Sequence, residues 1–363
     1  MDLKNYLPPP EKCHLFTFFL GLLFSLFFTP MVAKKAKQLK LLDLPGGRHL
    51  HKQPTPRLGG LSIFLSILIS SLILVIIYGR YTPKHTQFFP IEGIALGAIL
   101  IFLVGLIDDL IPLSAWVKLL AQLIASVAAV VTKVKIKYLV NPFFYLGLSD
   151  LRVFELNPIL AFFITIGWLV LITNALNLID GIDGLAAGVA LICALSLWAI
   201  LLDPSLLNPG AALLISTLAG SILGFLRYNF NPAKIFLGDS GSYLVGFLLG
   251  AVAINSLSSN PNTASVGSVI ILAFSFPLLD IFFAVLRRLV NKTPIMKADD
   301  GHIHHRFLKL GFNTKQTMII ICFTCTLLGL IATMLTNSYK RYAILVSMTL
   351  SLALLSTFWS RNK

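Results

Sequence analysis

Charge is what this sequence has least of. Charged residues fill 12% of the 363 positions, and only 15 of them are Asp or Glu, against about 25% charged in ordinary soluble domains. Beside 56% hydrophobic residues, that scarcity excludes two or three soluble domains and points to a helical membrane bundle. The net charge of +14 would suit nucleic acid, but no soluble basic domain exists to carry it. Positive charge gathered on one membrane face accounts for it, and no nucleic-acid partner is expected. Cysteine is scarce as well: Cys13, Cys193, Cys322 and Cys325 all lie in or beside apolar runs. Cys322 and Cys325 form a CxxC without partner ligands, so they read as buried helix cysteines rather than a redox or metal pair. The first apolar run lacks a small-residue cleavage site and is followed by lysines, so it reads as a retained span. No internal repeat is visible, which leaves an inverted-repeat transporter without support.

What the chain has is apolar length. A membrane-crossing helix needs about 20 mostly apolar residues. Eleven runs approach that: 13–33, 58–78, 91–108, 115–132, 158–176, 184–202, 210–227, 241–257, 266–289, 317–336 and 342–359. The expected fold is an all-α polytopic membrane protein of about eleven transmembrane helices, ten if 115–132 is discounted, forming one domain over 1–363. Roughly two thirds of the Lys and Arg fall in the loops after odd-numbered runs and in the C-terminal tail, Lys118 being counted with the loop before it; this makes that face cytoplasmic, the N-terminus external and the C-terminus internal. Long cytoplasmic loops are expected at 34–57 and 288–315. The external stretch 134–157, around Asn141, Pro142 and Gly147, reads as a short β-hairpin or an interfacial segment.

Four polar segments interrupt the apolar chain: Gly105–Leu110 (GLIDDL), Asn174–Leu185 (NALNLIDGIDGL), Phe236–Ser242 (FLGDSGS) and His302–Arg306 (HIHHR). All four fall on the face read as cytoplasmic. Ionisable groups at membrane depth are costly and default to a functional reading. Asp108 and Asp109 are adjacent carboxylates that repel unless a cation sits near them. Asn174, Asn177, Asp180 and Asp183 recur at three-residue spacing and would share one helical face. They suit a ribose, a uracil edge or a metal's water shell, and Gly181 and Gly184 permit a helix break. Asp239 stands in a Gly-flanked turn before an apolar helix, either as a metal ligand or as a plain N-cap, with nearby N–H groups able to attract phosphate. His302, His304, His305 and Arg306 offer phosphate contacts, and their spacing matches no common zinc signature. Arg48, His51, Lys52 and Arg57 lead into the second run and face either an anionic substrate or lipid headgroups. Asp280, inside the ninth run, reads as a structural polar contact.

In this order and placement, the four motifs resemble those of the polyprenyl-phosphate N-acetylhexosamine-1-phosphate transferases, over about Asp43 to Gly311. The resemblance implies transfer of a sugar 1-phosphate from a UDP-sugar to undecaprenyl phosphate, with Mg²⁺, or Mn²⁺ in its place, and release of UMP. It implies Asp239 as the principal metal ligand, with Asp108 and Asp109 as an acidic pair that positions the lipid phosphate or shares the metal. Asp180 and Asp183, with Asn174 and Asn177, would line the nucleotide region, Asn229 the uracil, and Lys118 the phosphates. His304 and His305 would meet the diphosphate or sugar, and Lys118, His304, His305 and Arg306 would add positive potential. HIHHR and Pro56-Arg57-Leu58-Gly59-Gly60 resemble the UDP-GlcNAc branch that initiates envelope polysaccharides, rather than the branch taking UDP-MurNAc-pentapeptide. The resemblance further implies a multi-pass protein of the bacterial inner membrane and admits a homodimer. The rival class is an ion-coupled transporter, whose carboxylates would sit near mid-bilayer; here all but Asp280 gather at one face.

Overall fold

The computed structural model describes residues 13–44, 53–78, 90–141, 151, 153–202, 208–257, 266–294 and 301–334. The elements begin with α1 (His14–Gln38), β1 (Leu42–Asp43), β2 (Thr55–Pro56), α2 (Gly59–Tyr78), α3 (Ile91–Leu110) and α4 (Ala115–Val131). Next come β3 (Tyr138–Val140), β4 (Val153–Glu155), α5 (Pro158–Leu178), α6 (Leu185–Leu201), α7 (Pro209–Asn229) and α8 (Gly238–Leu257). The described part ends with α9 (Val266–Ala273), α10 (Ser275–Val290), α11 (Ile303–Lys309) and α12 (Thr314–Met334). Six helices (α1, α2, α3, α5, α7 and α12) are long and apolar enough to cross a membrane, and α4, α6 and α8 are shorter apolar helices. The protein is a polytopic all-α membrane protein. The last apolar run, 342–359, and both termini lie outside the described residues.

Two expectations change. The run 266–289 is broken into α9 and α10 at Phe274, and the cause is Pro277. Proline has no N–H, so the Ala273 carbonyl four residues back loses its helical donor. Cys193 supplies a replacement, its Sγ donating to Ala273 O at 3.5 Å. HIHHR, expected as loop, forms the short helix α11. The stretch 134–157 does contain paired strands, with β3 antiparallel to β4 and Leu139 opposite Phe154.

Burial runs opposite to that of a soluble bundle. Every residue of α6 is buried, and α7 and α8 are nearly so. The surrounding helices turn apolar side chains outward, such as Phe19, Leu23 and Phe27 of α1 and Leu96, Ile99 and Leu103 of α3. Lipid is the solvent that tolerates such a surface.

Hydrophobic burial cannot drive helix association within lipid, so small residues and polar contacts do. The seam between α1 and α7 shows both. A Cβ on Gly220 would strike the Phe18 carbonyl, and one on Gly21 would strike the Thr217 carbonyl. Thr17 and Ser216 share a hydrogen bond of 2.6 Å between their hydroxyls. Pro30 interrupts α1 and frees the Leu26 carbonyl, to which Tyr228 Oη on α7 donates at 3.3 Å. Gly220→Leu is therefore expected to lower the melting temperature in detergent by several degrees, roughly the effect of 1–3 kcal/mol of overpacking. Gly167→Ala, where nothing lies within 4 Å of the new Cβ, is expected to leave it unchanged or slightly raised.

Candidate active site

The site is built around the first turn of α8. Gly238 opens that helix at φ +75°, a conformation L side chains avoid. The N–H groups exposed at a helix N-terminus need acceptors, and here Asp109 reaches across from the end of α3. Its Oδ1 accepts from Asp239 N at 2.7 Å, and its Oδ2 accepts from Ser240 N at 3.0 Å and Ser240 Oγ at 2.5 Å. The negative charge also suits the positive end of the α8 dipole. Glycines permit the approach: Gly105 faces the Ser240 backbone, and Gly60 faces Gly241. The α2 N-terminus is stitched to the same place, Gly59 N donating to Phe236 O and Gly60 N to Leu237 O, each at 2.9 Å.

With its backbone so held, Asp239 presents its carboxylate to three donors. Oδ1 accepts from Asn177 Nδ2 at 2.9 Å and Arg57 Nη2 at 3.3 Å, and Oδ2 accepts from Lys118 Nζ at 3.0 Å. Lys118 also pairs with Asp108 Oδ2, while Asp108 Oδ1 accepts from Leu113 N at 2.7 Å and ties the turn between α3 and α4. Arg57 Nε lies 3.4 Å from Asp109 Oδ1. Burial works against the Arg57 charge, but Asp239, Asp109, Asp43 and Asp180 outweigh it and hold the guanidinium firmly ionised. The Asp239 side chain is thus no N-cap for its own helix; Asp109 does that work. Two of the helix N–H groups expected to attract phosphate, those of Asp239 and Ser240, are already taken by a carboxylate.

The expected metal trio of Asp239, Asp108 and Asp109 is not assembled. Both Asp109 oxygens are turned to the α8 backbone, and among the described residues no group of three His, Cys, Asp or Glu is arranged to hold a metal. The remaining pair fits a different mode. Asp108 and Asp239 converge on one ammonium, Lys118, so two hard oxygen donors already surround a cationic point. Mg²⁺ is commonly held by one or two carboxylates plus substrate phosphates, and this pair suits that arrangement.

The evenly spaced polar residues of 174–185 reach different partners: Asn174 and Asn177 lie on one face of α5, and beyond Leu178, where α5 ends, helical periodicity lapses for Asp180 and Asp183. Asn177 reaches Asp239 and, at 3.0 Å, Ser242 Oγ. Asn174 is committed elsewhere, exchanging amide hydrogen bonds with Gln122 of α4 and donating to Val170 O. Asp183 Oδ2 accepts from Asn231 Nδ2 and Ala233 N, each at 3.0 Å, which secures the connection between α7 and α8. Asn229, expected near a uracil, is buried and donates to Ile235 O at 2.9 Å, bracing the same connection. Asp180 is half-buried. Burial pushes its carboxyl up to about 7, Arg57 opposes this, and Asp239, Asp109 and Asp183 add to the rise.

The histidine motif packs on the same turn. A Cβ on Gly181 would strike His304 Nε2, which is buried without a hydrogen-bond partner among the described residues. Burial, then His305 and His302, pushes His304 down to about 4, so it is neutral near pH 7 and does not add the positive potential expected of it. The His305 ring lies 4.3 Å from that of His304. His302 Nδ1 bonds Asp280 Oδ2 at 2.8 Å, and Asp280 Oδ1 accepts from Ile303 N at 2.8 Å. The structural contact expected of Asp280 is therefore the anchor of α11. Arg306 is exposed, with Nε donating to Gly301 O at 3.2 Å. Arg48, His51 and Lys52 lie outside the described residues.

Sequence reasoning missed Gln122, Ser240, Ser242 and Asn231. Only Gln122, an amide within an apolar run, carried a signal that could have singled it out.

The two acidic types respond oppositely to removal. Asp109→Ala leaves three donors at the α8 N-terminus without an acceptor, at about 1–3 kcal/mol for each buried donor, and a clear drop in melting temperature is expected. Asp180 has its folded value raised, so its protonated form favours the folded state. Its contribution is benign below about 4, turns unfavourable as pH rises from there, and is fully unfavourable above about 7. Asp180→Asn is therefore expected to raise the melting temperature at pH 8 and to change it little at pH 4, by thermal unfolding across that window.

Comparisons with known proteins show the family of the chain. A family model described as Glycosyl transferase family 4 matches residues 91–257, from α3 through α8. The chain is 37% identical over 307 residues, 84% of its length and 80% of the relative's, to a probable undecaprenyl-phosphate N-acetylglucosaminyl 1-phosphate transferase of Bacillus subtilis (strain 168). It is 32% identical over 339 residues, 92% of its length and 94% of the relative's, to an undecaprenyl-phosphate alpha-N-acetylglucosaminyl 1-phosphate transferase of Thermotoga maritima. A phospho-N-acetylmuramoyl-pentapeptide-transferase of Staphylococcus epidermidis is 29% identical over 331 residues, 86% of this chain and 96% of that one. With four fifths or more of both chains aligned at such identity, the motif assembly around Asp239 has a family: this multi-pass membrane protein belongs to glycosyl transferase family 4, among the polyprenyl-phosphate N-acetylhexosamine-1-phosphate transferases.

Proposed function

We propose that the protein transfers N-acetylglucosamine 1-phosphate from UDP-GlcNAc to undecaprenyl phosphate and releases UMP. The observation that carries this reading is the Asp239 carboxylate, gripped by Lys118, Arg57 and Asn177 where the four polar motifs meet. The names of the relatives at 37% and 32% identity support the acceptor and the sugar. The lower identity to the pentapeptide transferase, 29%, leaves that donor as the weaker reading.

The reaction joins two anions, so positive charge at the meeting point is the first requirement. Lys118 and Arg57 supply it from fixed positions, and Asp108 and Asp239 fix the ammonium. An oxygen of the lipid phosphate, already ionised near pH 7, attacks the sugar-bearing phosphorus in line. The bond from that phosphorus to the bridging oxygen breaks, and UMP leaves with the electron pair. Mg²⁺, held by Asp239 and Asp108 with the diphosphate, would supply Lewis acidity toward that leaving group. Asn177 holds the Asp239 oxygen in place, a positioning contribution. His304, being neutral, serves the sugar or diphosphate through a hydrogen bond rather than through charge. Outward-facing Leu96, Ile99, Leu103 and Ile107 of α3 run along the lipid face toward Asp108, which lets an isoprenoid stay in the bilayer while its phosphate reaches the site. The excess of Lys and Arg near these motifs supports a site on the cytoplasmic face of the bacterial plasma membrane.

Purified full-length protein in detergent, with undecaprenyl phosphate and Mg²⁺, is expected to release UMP from UDP-GlcNAc and not from UDP-MurNAc-pentapeptide. Release from the pentapeptide donor alone would overturn the branch, and release from neither by folded protein would overturn the transferase reading.

A further inference from the structure

One polar pair near the site has no part in the chemistry above. Gln122 on α4 and Asn174 on α5 exchange hydrogen bonds, Gln122 Nε2 donating to Asn174 Oδ1 at 3.2 Å and Asn174 Nδ2 donating to Gln122 Oε1 at 2.5 Å. Asn174 Nδ2 also donates to Val170 O at 2.8 Å. Gln122 is 2% exposed and Asn174 half-buried, so the pair is largely withdrawn from lipid and water. Amides inside an apolar bundle are expensive unless paired, and a mutual pair forms in only one axial alignment of the two helices.

Its place gives that alignment a consequence. Gln122 lies one helical turn beyond Lys118 on α4, and Asn174 lies nearly one turn before Asn177 on α5, so each amide shares a helix face with its neighbour. Lys118 and Asn177 grip opposite oxygens of Asp239, Nζ on Oδ2 at 3.0 Å and Nδ2 on Oδ1 at 2.9 Å. A slide of α4 against α5 by one residue, about 1.5 Å, would carry one donor out of hydrogen-bond reach. Among the described residues, the other polar tie to α5 on this side comes from beyond the end of α4, where Ile136 N donates to Thr165 Oγ1 at 2.9 Å; within α4 itself, Ser126 one turn further on bonds its own helix at Gln122 O.

We propose that Gln122 and Asn174 are positioning residues: their reciprocal amide pair sets the register of α4 against α5 and thereby the height of the Lys118 ammonium between Asp108 and Asp239. This rests on the transferase reading for its effect on turnover, though not for its effect on Lys118 itself. Asn174 then acts through Gln122 rather than on substrate. Buried polar pairs are best attested in this register-setting role.

The test uses the full chain in detergent and two readouts. One is kcat for UMP release from UDP-GlcNAc. The other is the acylation rate of Lys118 by a water-soluble N-hydroxysuccinimide ester, followed by peptide mass spectrometry with exposed Lys234 as internal reference. Replacing both amides, Gln122→Leu with Asn174→Leu, removes the pair without leaving a buried amide unpaired, which can be nearly neutral for stability. The double variant is expected to melt near the parent yet lose about tenfold in kcat, as misplaced catalytic groups do, with Lys118 acylating several-fold faster relative to Lys234. Retained kcat and retained protection of Lys118 in that variant would overturn the proposal. Should the variant fail to fold, the exchange Gln122→Asn with Asn174→Gln decides. Recovery of kcat and protection above the Gln122→Asn single variant supports the register role, and no recovery overturns it. A wild-type protein that releases no UMP would instead defeat the transferase reading, and Lys118 protection would still judge the amide pair.

Discussion

A carboxylate from one helix capping the backbone of another is the contact on which the rest of the site depends. Asp109, at the end of α3, closes the N-terminus of α8 through Asp239 N, Ser240 N and Ser240 Oγ. Because the cap comes from outside, Asp239 need not turn its own side chain back onto its helix. That side chain points instead at Arg57, Lys118 and Asn177, which arrive from three other segments. Two neighbouring aspartates thereby divide the work: Asp109 holds the backbone, and Asp108 holds Lys118. The glycines at 60, 105 and 238 belong to the same device, since side chains there would meet the α8 backbone or the capping carboxylate.

The region concentrates like charge at a cost in stability. Asp180 stands among Asp239, Asp109 and Asp183 with its carboxyl pushed up to about 7, a state that favours neutralisation over folding with full charge. Structural carboxylates in the same region behave differently, since Asp183 and Asp280 each accept two hydrogen bonds. The contrast separates carboxylates that hold the fold through hydrogen bonds from one that stands among like charges.

Much of this was legible in the sequence because membrane helices announce themselves by length and by which polar residues interrupt them. The spans at 13–33, 58–78 and 91–108 correspond to α1, α2 and α3, and Gly184 marks a left-handed turn at φ +74°. Legibility failed where partners are distant. Spacing put Asn174, Asn177, Asp180 and Asp183 on one face, but neighbours on other helices claim the first two, Gln122 for Asn174 and Asp239 for Asn177. A helix that stops at Leu178 leaves Asp180 in the turn and sends Asp183 to Asn231. Nothing local distinguishes Asp108 from Asp109, because the difference is made by Ser240 and Lys118 on other helices. Pro277 was visible, whereas the Cys193 thiol that accommodates its freed carbonyl was not, since the two are paired only by packing.

The central claim is that the Asp239 carboxylate is the point on which the transfer turns, and Asp239→Asn tests it most directly. The substitution keeps size and removes the charge that Arg57 and Lys118 answer. In membrane-inserted, folded protein, UMP release from UDP-GlcNAc is predicted to fall by about 100-fold or more, the scale of losing a principal electrostatic contact. Release near the wild-type rate would contradict the account and remove Asp239 from the reacting centre.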